Sequence, residues 1–176
     1  LLMKSVAITG AGSGLGLALS KLLAGEGYRV FMLGRNEAKL QSAVEQVGAN
    51  AQAIVCDITD PDSVDRAFDT IAQSGRPLDV LINNAGVYRP FYLDEATNAE
   101  IAEALNINLA GPMFCSRSAL RNMERGGHIL CIGSETAVEK IAMLGGYQAA
   151  KAGLERYCKT LDQELAPRGV RVTLVR

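Results

Sequence analysis

Short apolar runs alternate with amphipathic stretches along the whole chain. The runs are almost continuously apolar, as in strands that are buried on both faces of a parallel sheet. The six candidate strands are Val6–Ile8, Val30–Leu33, Ala53–Cys56, Val80–Ile82, Ile129–Ile132 and Val172–Val175. Because helical patterns separate these strands, the sequence predicts an α/β fold, a doubly wound parallel sheet with helices on both faces.

Capping residues mark the start of several helices between the predicted strands. The N-cap candidates are Asn36, Asp60 and Thr97. Pro61 is typical of a first helical turn, and Glu100 completes a capping box with Thr97. We expect the helix that follows Thr97 to run to near Met123, with a bend at Gly111–Pro112.

Composition and charge narrow the classes of partner. Of the 176 residues 48% are hydrophobic, and the net charge is −1, which gives no electrostatic bias toward nucleic acid or an anionic membrane. No apolar run approaches the ~20 residues of a membrane span. The length suits a single domain. We therefore expect small molecules or further copies of the chain as partners, and neither nucleic acid nor a membrane.

Cysteine and histidine usage bears on the cell compartment and on metals. The cysteines are Cys56, Cys115, Cys131 and Cys158. Their wide spacing fits reduced core thiols, and hence a cytoplasmic protein, better than a disulfide frame or a zinc site. His128 is the only histidine and lies at the start of a predicted strand. The sequence therefore predicts no metal site.

A glycine-rich stretch, TGAGSGLG, joins the first strand to a helix-like segment, Leu15–Leu23. A helix N-terminus offers unpaired N–H groups and the positive end of the macrodipole, so phosphate binds there if the backbone can come close. Gly10, Gly14 and Gly16 omit the side chains that would block this approach, and they permit a tight turn. The loop predicts a bound dinucleotide pyrophosphate, with a simple strand-to-helix turn as the alternative.

Five motifs in register give the chain a wider resemblance. They are Thr9-Gly10-x-x-x-Gly14-x-Gly16, CDI at Cys56–Ile58, NNAG at Asn83–Gly86, NINLAG at Asn106–Gly111, and Ser134 with Tyr147 and Lys151. In this order and spacing the chain resembles the short-chain dehydrogenase/reductase family. The resemblance implies a Rossmann-type oxidoreductase that moves a hydride between a nicotinamide cofactor and a carbonyl or secondary-alcohol substrate.

Tyr147 and Lys151 stand one helical turn apart, so their side chains share a face of the helix predicted over roughly Tyr147–Leu165, which ends before Pro167. A nearby lysine cation lowers the pKa of a tyrosine. The resemblance implies that Tyr147 is the general acid, or the base in the reverse reaction, and that Lys151 also binds the nicotinamide ribose. Taken alone, such a pair is usually a solvated surface pair.

The resemblance adds two more catalytic residues. Ser134 would donate a hydrogen bond to the substrate oxygen, although a lone serine at a strand end is usually a cap or turn residue. Asn108 would hold a water that relays protons between Lys151 and solvent. Asn106 is the rival for that role, but only Asn108 precedes Leu-x-Gly as the family motif requires. Glu135, next to Ser134, has no interpretation.

The end of the second strand bears on the choice of cofactor. A carboxylate there would bind the free 2′-hydroxyl of NAD(H), but the sequence has Gly34 and Arg35. Because an arginine fork binds phosphate through two hydrogen bonds, NADP(H) is favoured over NAD(H). The alternative is that Arg35 is a solvated loop residue. Some NADP(H) enzymes of the family also have a basic residue in the glycine loop, where this chain has Ser13.

The resemblance implies a full cofactor site. Its residues are Gly10, Ser13, Gly14, Leu15, Gly16, Arg35, Asp57, Ile58, Asn84, Gly86, Tyr147 and Lys151. Asp57 and the backbone of Ile58 would contact the adenine. One of Asn83 and Asn84 would tie strand ends together, with Asn84 beside the cofactor ribose. Tyr88, Met143 and Leu144 are candidates for a substrate pocket, with ordinary loop packing as the alternative.

Other functions and the assembly stay open. A nucleotide-binding regulator without turnover, or a dehydratase or isomerase that uses the same triad, would fit the same residues. In the family the sixth strand is followed by Pro-Gly, a segment over the substrate and a last strand, so we expect residues 1–176 to form one catalytic domain that lacks this C-terminal part. The resemblance also implies a homodimer or homotetramer, formed through Ile101–Met123 and Tyr147–Leu165.

Overall fold

The computed structural model describes residues 3–124 and 126–176. Its parallel strands form one six-stranded sheet in the order β3-β2-β1-β4-β5-β6. The strands are β1 (Ser5–Thr9), β2 (Arg29–Gly34), β3 (Ala51–Val55), β4 (Val80–Asn83), β5 (His128–Ile132) and β6 (Arg171–Val175). The strand order reverses at β1, which pairs with β2 on one side and β4 on the other. The predicted doubly wound sheet is confirmed, and its carboxyl edge beside β1 is where such sheets bind ligands.

Helices cover both faces of this sheet. They are α1 (Gly14–Gly25), α2 (Glu37–Val47), α3 (Pro61–Ala72), α4 (Asn98–Leu105), α5 (Gly111–Ala119) and α6 (Gly145–Leu165). A π-helical turn, Asn106–Ala110, joins α4 to α5, and short 3₁₀ turns lie at Glu135–Val138 and Ala166–Arg168. Among the described residues, no helix is both long and apolar enough to cross a membrane.

The three predicted caps are present. The Asn36 side chain accepts a hydrogen bond from an N–H in the first turn of α2, and Asp60 does the same in α3. Thr97 and Glu100 form the predicted capping box at the start of α4. These short polar side chains satisfy N–H groups that a helix cannot pair internally, which is why the sequence located these helix starts well.

Two predicted boundaries were wrong. The third strand is Ala51–Val55, so Cys56 follows it instead of ending it. The long helix after Thr97 stops at Ala119, short of Met123, and contains the π-helical turn. A proline inside an α-helix clashes with the carbonyl four residues earlier, which here belongs to Asn108. The wider turn precedes that proline, so α5 begins at Gly111 with Pro112 in its first turn.

Side chains on the two faces of the strands feed two hydrophobic layers. Ala7, Phe31, Leu81 and Ile129 are buried against α3, α5 and α6 on one side. The layer on the other side contains Val6, Ile8, Val30, Met32 and Ile82, with α1 and α2 over it. All four cysteines are buried and free, as predicted. The sheet is therefore held from both faces, and its carboxyl edge is left open for a site.

Candidate functional site

A cleft of about 360 Å³ lies at the carboxyl ends of β1 to β4. Its walls are Gly10, Ser13, Leu33–Arg35, Cys56–Ile58, Asn84–Val87 and Ile107. Seven of the predicted cofactor residues are therefore brought to one cleft, although they come from four separate stretches of sequence. They are Gly10, Ser13, Arg35, Asp57, Ile58, Asn84 and Gly86.

The glycines of the first loop have different reasons to be glycine. Gly10 has a φ of +65°, and a Cβ there would lie 2.9 Å from the Cα of Ala85. A Cβ on Gly16 would lie 2.6 Å from the Nδ2 of Asn84. Packing within the loop thus requires these two. Gly14 has a φ of +53° and open space around its Cβ position, so it is the glycine beside which an anion can approach the backbone.

The N-terminus of α1 opens toward this space. Ser13 is the N-cap, but its side chain forms no capping hydrogen bond, and the first turn contains no acidic residue. Both features leave the positive end of the helix available to an anion. Leu15, in the first turn of α1, is 54% exposed and is not among the residues that line the cleft.

Thr9 and Asn84 tie β1 to β4 at the floor of the cleft. The buried Thr9 hydroxyl accepts hydrogen bonds from the backbone N–H groups of Asn84 and Ala85, both at 3.0 Å. In return the Asn84 side chain donates to the Thr9 carbonyl at 3.0 Å and to the Gly10 carbonyl at 3.4 Å. Asn84 therefore both lines the cleft and ties the strand ends together. Asn83 faces away, toward Ser116.

Arg35 lies at the exposed end of β2 and lines two adjoining clefts. The second cleft, of about 230 Å³, is also lined by Ser13, Asn36 and Lys39. Among the described residues, no hydrogen bond or ion pair engages the charged groups of Arg35 or Lys39. In the part of the chain that the structure describes, two cations without protein partners therefore stand at the rim. The sequence analysis had singled out only Arg35.

Asp57 and Ile58 line the cleft after β3 in different ways. One carboxylate oxygen of Asp57 accepts hydrogen bonds from the N–H of Thr59 at 2.9 Å and from its hydroxyl at 2.8 Å. Within the described ranges, no hydrogen bond engages the other oxygen. The Ile58 side chain is buried, and its tip fills the place that a Cβ on Gly111 would need. The contact of the Ile58 backbone with the adenine stays a prediction.

Asn108 sits in the π-helical turn and is fully buried. Its amide oxygen accepts from the N–H of Val87 at 3.0 Å, and its nitrogen donates to the carbonyls of Val87 and Ala104, both at 2.9 Å. Asn106 is exposed. Geometry thus favours Asn108 over its rival, but both of its donors are used, so its side chain could hold a water only through the second lone pair of Oδ1.

Lys151 reaches from α6 to the cleft beneath Gly86. A Cβ on Gly86 would lie 3.7 Å from the lysine Nζ and 3.1 Å from the Oδ1 of Asn108. The Lys151 Nζ donates to the Ile132 carbonyl at 2.8 Å, which is its single hydrogen bond in the described part of the chain. Two of the three ammonium donors therefore have no acceptor among the described residues, and they lie beside Gly86, a residue of the cleft wall. Burial lowers the pKa of Lys151, and negative charge on Cys131 would oppose this shift.

Tyr147 stands one turn before Lys151, in the first turn of α6. The Lys151 Nζ is 5.8 Å from the centroid of the tyrosine ring, within the range of a cation–π contact. Tyr88 packs edge-on against the same ring, with centroids 5.3 Å apart. In residues 3–124 and 126–176 no hydrogen bond engages the Tyr147 hydroxyl. This hydroxyl therefore remains free to bind a ligand.

Ser134 follows β5 two residues beyond Ile132 and caps the 3₁₀ turn Glu135–Val138. Its hydroxyl oxygen accepts from the N–H of Thr136 at 3.2 Å and lies 2.8 Å from the Thr136 hydroxyl. The capping alternative is therefore present, without excluding a role toward substrate. No hydrogen bond joins Ser134 to Tyr147 within the described ranges. The link between the two is indirect and runs through Gln148, which binds the Thr136 carbonyl.

The three candidate substrate-pocket residues have different surroundings in the structure. Tyr88 contacts Tyr147, whereas Leu144 is buried and packs in its loop. Met143 has a φ of +68° and accepts a hydrogen bond from the Phe91 N–H through its carbonyl. The sequence interpretation gave no role to Thr136, Gln148 or Lys39. Only Lys39 carried a signal, since it follows Arg35 by four positions at the start of a predicted helix.

The chain is similar to known proteins over nearly its full length. Residues 4–176 match the family model described as short chain dehydrogenase. Carbonyl reductase family member 4 of Danio rerio is 38% identical over an alignment that covers 98% of this chain and 74% of that protein. The 3-oxoacyl-(acyl-carrier-protein) reductase MabA of Mycobacterium avium is 34% identical, with 98% of this chain and 65% of that protein covered.

A solved structure agrees with this result. The crystal structure of a metagenomic short-chain oxidoreductase in complex with NADP superposes with a TM-score of 0.91 at 31% identity. The superposition covers 97% of this chain and 80% of that one. The likeness therefore extends from the sheet to the cleft at its carboxyl edge.

Proposed function

The chain belongs to the short-chain dehydrogenase family of oxidoreductases, and from that premise we propose that it is an NADP(H)-dependent enzyme that moves a hydride between nicotinamide and a carbonyl or secondary-alcohol substrate. One observation carries the proposal. A buried lysine with two free donors reaches the cleft at Gly86, and Tyr147 lies one helical turn away. The nicotinamide cofactor would supply or accept the hydride. The residues of this chain would bind and orient the cofactor and the substrate, and would move the proton.

Tyr147 is the proton donor to the carbonyl oxygen, and the proton acceptor when an alcohol is oxidised. Its hydroxyl has no protein partner in the described residues, which leaves it available to a substrate oxygen. Lys151 stands one helical turn further along, with its Nζ 5.8 Å from the centroid of the Tyr147 ring, and Tyr147 itself lies in the first turn of α6.

Lys151 has two tasks that follow from its free donors. The bond to the Ile132 carbonyl fixes the ammonium at the floor of the site. One free N–H is then available to a ribose hydroxyl in the cleft, and the charge acts on Tyr147. Gly86 supports this arrangement, because a side chain there would stand between Nζ and a bound cofactor.

Ser134 and Asn108 complete the catalytic set. Ser134 holds the substrate oxygen by a hydrogen bond and thereby stabilises the charge that develops on it. Asn108 anchors Val87 beside Gly86 and so shapes the wall next to Lys151. We propose that a relay water near Lys151 is held through the second lone pair of Oδ1 or through backbone carbonyls of the π-helical turn.

NADP(H) is the proposed cofactor because the site that would face the 2′-position of the adenosine ribose is cationic. Arg35 follows β2 where NAD(H) enzymes carry a carboxylate, and Lys39 lines the same adjoining cleft. Two unpaired cations attract a 2′-phosphate, whereas a 2′-hydroxyl gains little from them. The NADP complex of the related oxidoreductase supports this choice.

The proposal extends to the assembly, the cell compartment and the extent of the domain. A homodimer or homotetramer is supported by Leu105 and Met113, which are exposed on α4 and α5. The four buried free thiols support a cytoplasmic protein. Residues 1–176 would act as one catalytic domain, as the single continuous sheet supports.

The test begins with titration of the chain with NADPH and with NADH, followed by nicotinamide fluorescence. We expect NADPH to bind at least about tenfold more tightly, and Arg35→Ala to remove this preference, because a charge-assisted fork to phosphate is a strong hydrogen-bonding contact. Glu45→Gln is the matched control on the exposed face of α2. Equal affinities for both cofactors would overturn the NADP(H) proposal.

Turnover on a panel of ketones and aldehydes then tests the reaction. Tyr147→Phe should lower kcat by about 10²- to 10⁴-fold, the usual contribution of general acid catalysis, while NADPH affinity stays near that of the wild type. Binding without turnover on any substrate would favour the non-catalytic regulator. A dehydrated or isomerised product would favour the third alternative.

A further inference from the structure

The side chain of Gln148, the neighbour of Tyr147 on α6, bonds to a different element. Its Nε2 donates to the Thr136 carbonyl at 2.6 Å and to the Glu139 carbonyl at 2.9 Å. These carbonyls lie within and just after the 3₁₀ turn Glu135–Val138. Both N–H groups of the amide are therefore used on a single turn.

That turn carries Ser134 at its start. The Ser134 oxygen accepts from the Thr136 N–H, and the two hydroxyls lie 2.8 Å apart. Thr136 therefore connects Ser134 to Gln148. Its N–H and its hydroxyl contact the Ser134 hydroxyl, and its carbonyl accepts a hydrogen bond from Gln148. The chain of contacts runs from α6 to the serine hydroxyl without a gap.

Among the described residues, the turn packs against α6, and its hydrogen bonds to that helix come from one side chain, that of Gln148. Its own backbone bonds, from Ala137 to Ser134 and from Glu139 to Thr136, are internal to it. Val138 is 69% exposed. In the part of the chain that the structure describes, the two bonds from Gln148 are the only hydrogen bonds between residues 134–139 and α6.

We propose that Gln148 is a positioning residue that fixes the Ser134 hydroxyl relative to Tyr147, by tying the Ser134 turn to the helix that carries the tyrosine. The inference rests on the proposed function, in which both hydroxyls bind the same substrate oxygen. Because Tyr147 and Gln148 are consecutive, any shift of the turn relative to α6 changes the separation of the two hydroxyls. A small misplacement of this kind is costly to catalysis.

The test compares two substitutions in the full chain. Gln148→Met has a similar length and no N–H donor, whereas Gln148→Lys has a similar reach and keeps donors for the two carbonyls. We expect Gln148→Met to lower kcat by about 10- to 100-fold with NADPH affinity unchanged, and Gln148→Lys to recover most of the loss. Equal kcat for Gln148→Met and the wild type would overturn the proposal.

A double-mutant cycle separates positioning of Ser134 from a general structural effect. In a Ser134→Ala background, Gln148→Met should cause no further loss of kcat, because its effect acts through the serine. A loss of equal size in both backgrounds would overturn the positioning role.

Amide hydrogen exchange tests the tie without any need for turnover. Peptides that cover residues 133–143 should exchange faster in Gln148→Met than in the wild type and in Gln148→Lys, while residues 154–165 of α6 stay unchanged. Unchanged exchange in residues 133–143 would show that Gln148 does not hold the Ser134 turn against α6. If the wild type shows no turnover but exchange responds as expected, then the proposed function fails and the tie stands.

Discussion

Thr9 has more influence on the cleft than its small side chain suggests. Its hydroxyl is buried and satisfies two backbone N–H groups of the loop after β4. An N–H that is buried without a partner costs more than a formed hydrogen bond gains, because the group has given up its contact with water. The Thr9 hydroxyl therefore holds together the ends of β1 and β4, which form the floor of the cleft.

Thr9→Val removes the acceptor and keeps the shape. We expect the free energy of unfolding to fall by about 1–3 kcal/mol, the cost of leaving buried donors unsatisfied, and NADPH affinity to fall with it. Thr9→Ser is the matched control, since it keeps the hydroxyl and loses only a methyl group. Urea unfolding and cofactor titration measure both effects. If Thr9→Ser lost as much stability as Thr9→Val, the methyl group and not the hydrogen bonds would matter.

Sequence reasoning at the residue scale relies on motifs that set chemistry at a fixed spacing. The resemblance implies that Lys151 binds the nicotinamide ribose, and the structure places its Nζ 3.7 Å from the position of a Cβ on Gly86, a residue of the cleft wall. The role itself stays a prediction. Thr136 and Gln148 could not be found in this way. Their roles depend on backbone carbonyls that come near α6 only after folding, and no residue type is specific for binding a carbonyl.

At the scale of elements, α3 and α5 are joined by a charged cluster around Asp65. Its carboxylate accepts from the hydroxyl of Ser118 and pairs with Arg117 and Arg121, both at 3.1 Å. The hydrogen bond from Ser118 is the main cause that lowers the pKa of Asp65, and the two arginines act in the same direction. The residues of this cluster are not among those that line the two adjoining clefts, so we expect its effect to be on stability.

The sign of the pH dependence follows from the lowered pKa. A carboxyl group whose pKa is lower in the folded state stabilises the fold above its unfolded pKa of about 3.9, and the contribution is lost as pH falls through the folded value. We expect Asp65→Asn to lower the urea midpoint at pH 7 by a small amount, since the pairs are exposed, and the difference from the wild type to shrink below pH 4. Glu45→Gln, on the exposed face of α2, should show no such pattern. A difference that is constant from pH 7 to pH 3 would contradict the assignment.

Element boundaries that depend on local signals were predicted correctly. Boundaries that depend on tertiary contacts were predicted wrongly. Caps at Asn36, Asp60 and Thr97 need only their own helix, so the sequence located them. The π-helical turn brings Asn108 into hydrogen-bonding contact with Val87, twenty-one residues away, and no local pattern reports such a contact. The sequence predicted a bend at Gly111–Pro112, and the structure places the wider turn just before it.

At the scale of the whole molecule, the site exists only when both layers of the fold are present. Residues after β1, β2, β3 and β4 form the cleft, and each strand has one face in each hydrophobic layer. The alternation of apolar runs and helices was enough to predict this architecture, because burial on both faces of a parallel sheet dictates the pattern. The position of the cleft also follows from the strand order, through the reversal at β1.

Ile8 and Ile129 test whether the two layers unfold as one unit. Both are fully buried, Ile8 in the layer under α1 and α2 and Ile129 in the layer under α3, α5 and α6. Ile8→Val and Ile129→Val should each lower the free energy of unfolding by about 0.5–1.5 kcal/mol, and the double variant by the sum, since the sites do not share a layer. Leu15→Val, on the exposed side of α1, is the control.

Urea unfolding followed by far-UV circular dichroism and by tyrosine fluorescence should give one coincident transition in every variant. Two separate transitions, with Ile8→Val shifting one and Ile129→Val the other, would mean that the layers are independent and that the cleft depends on their association.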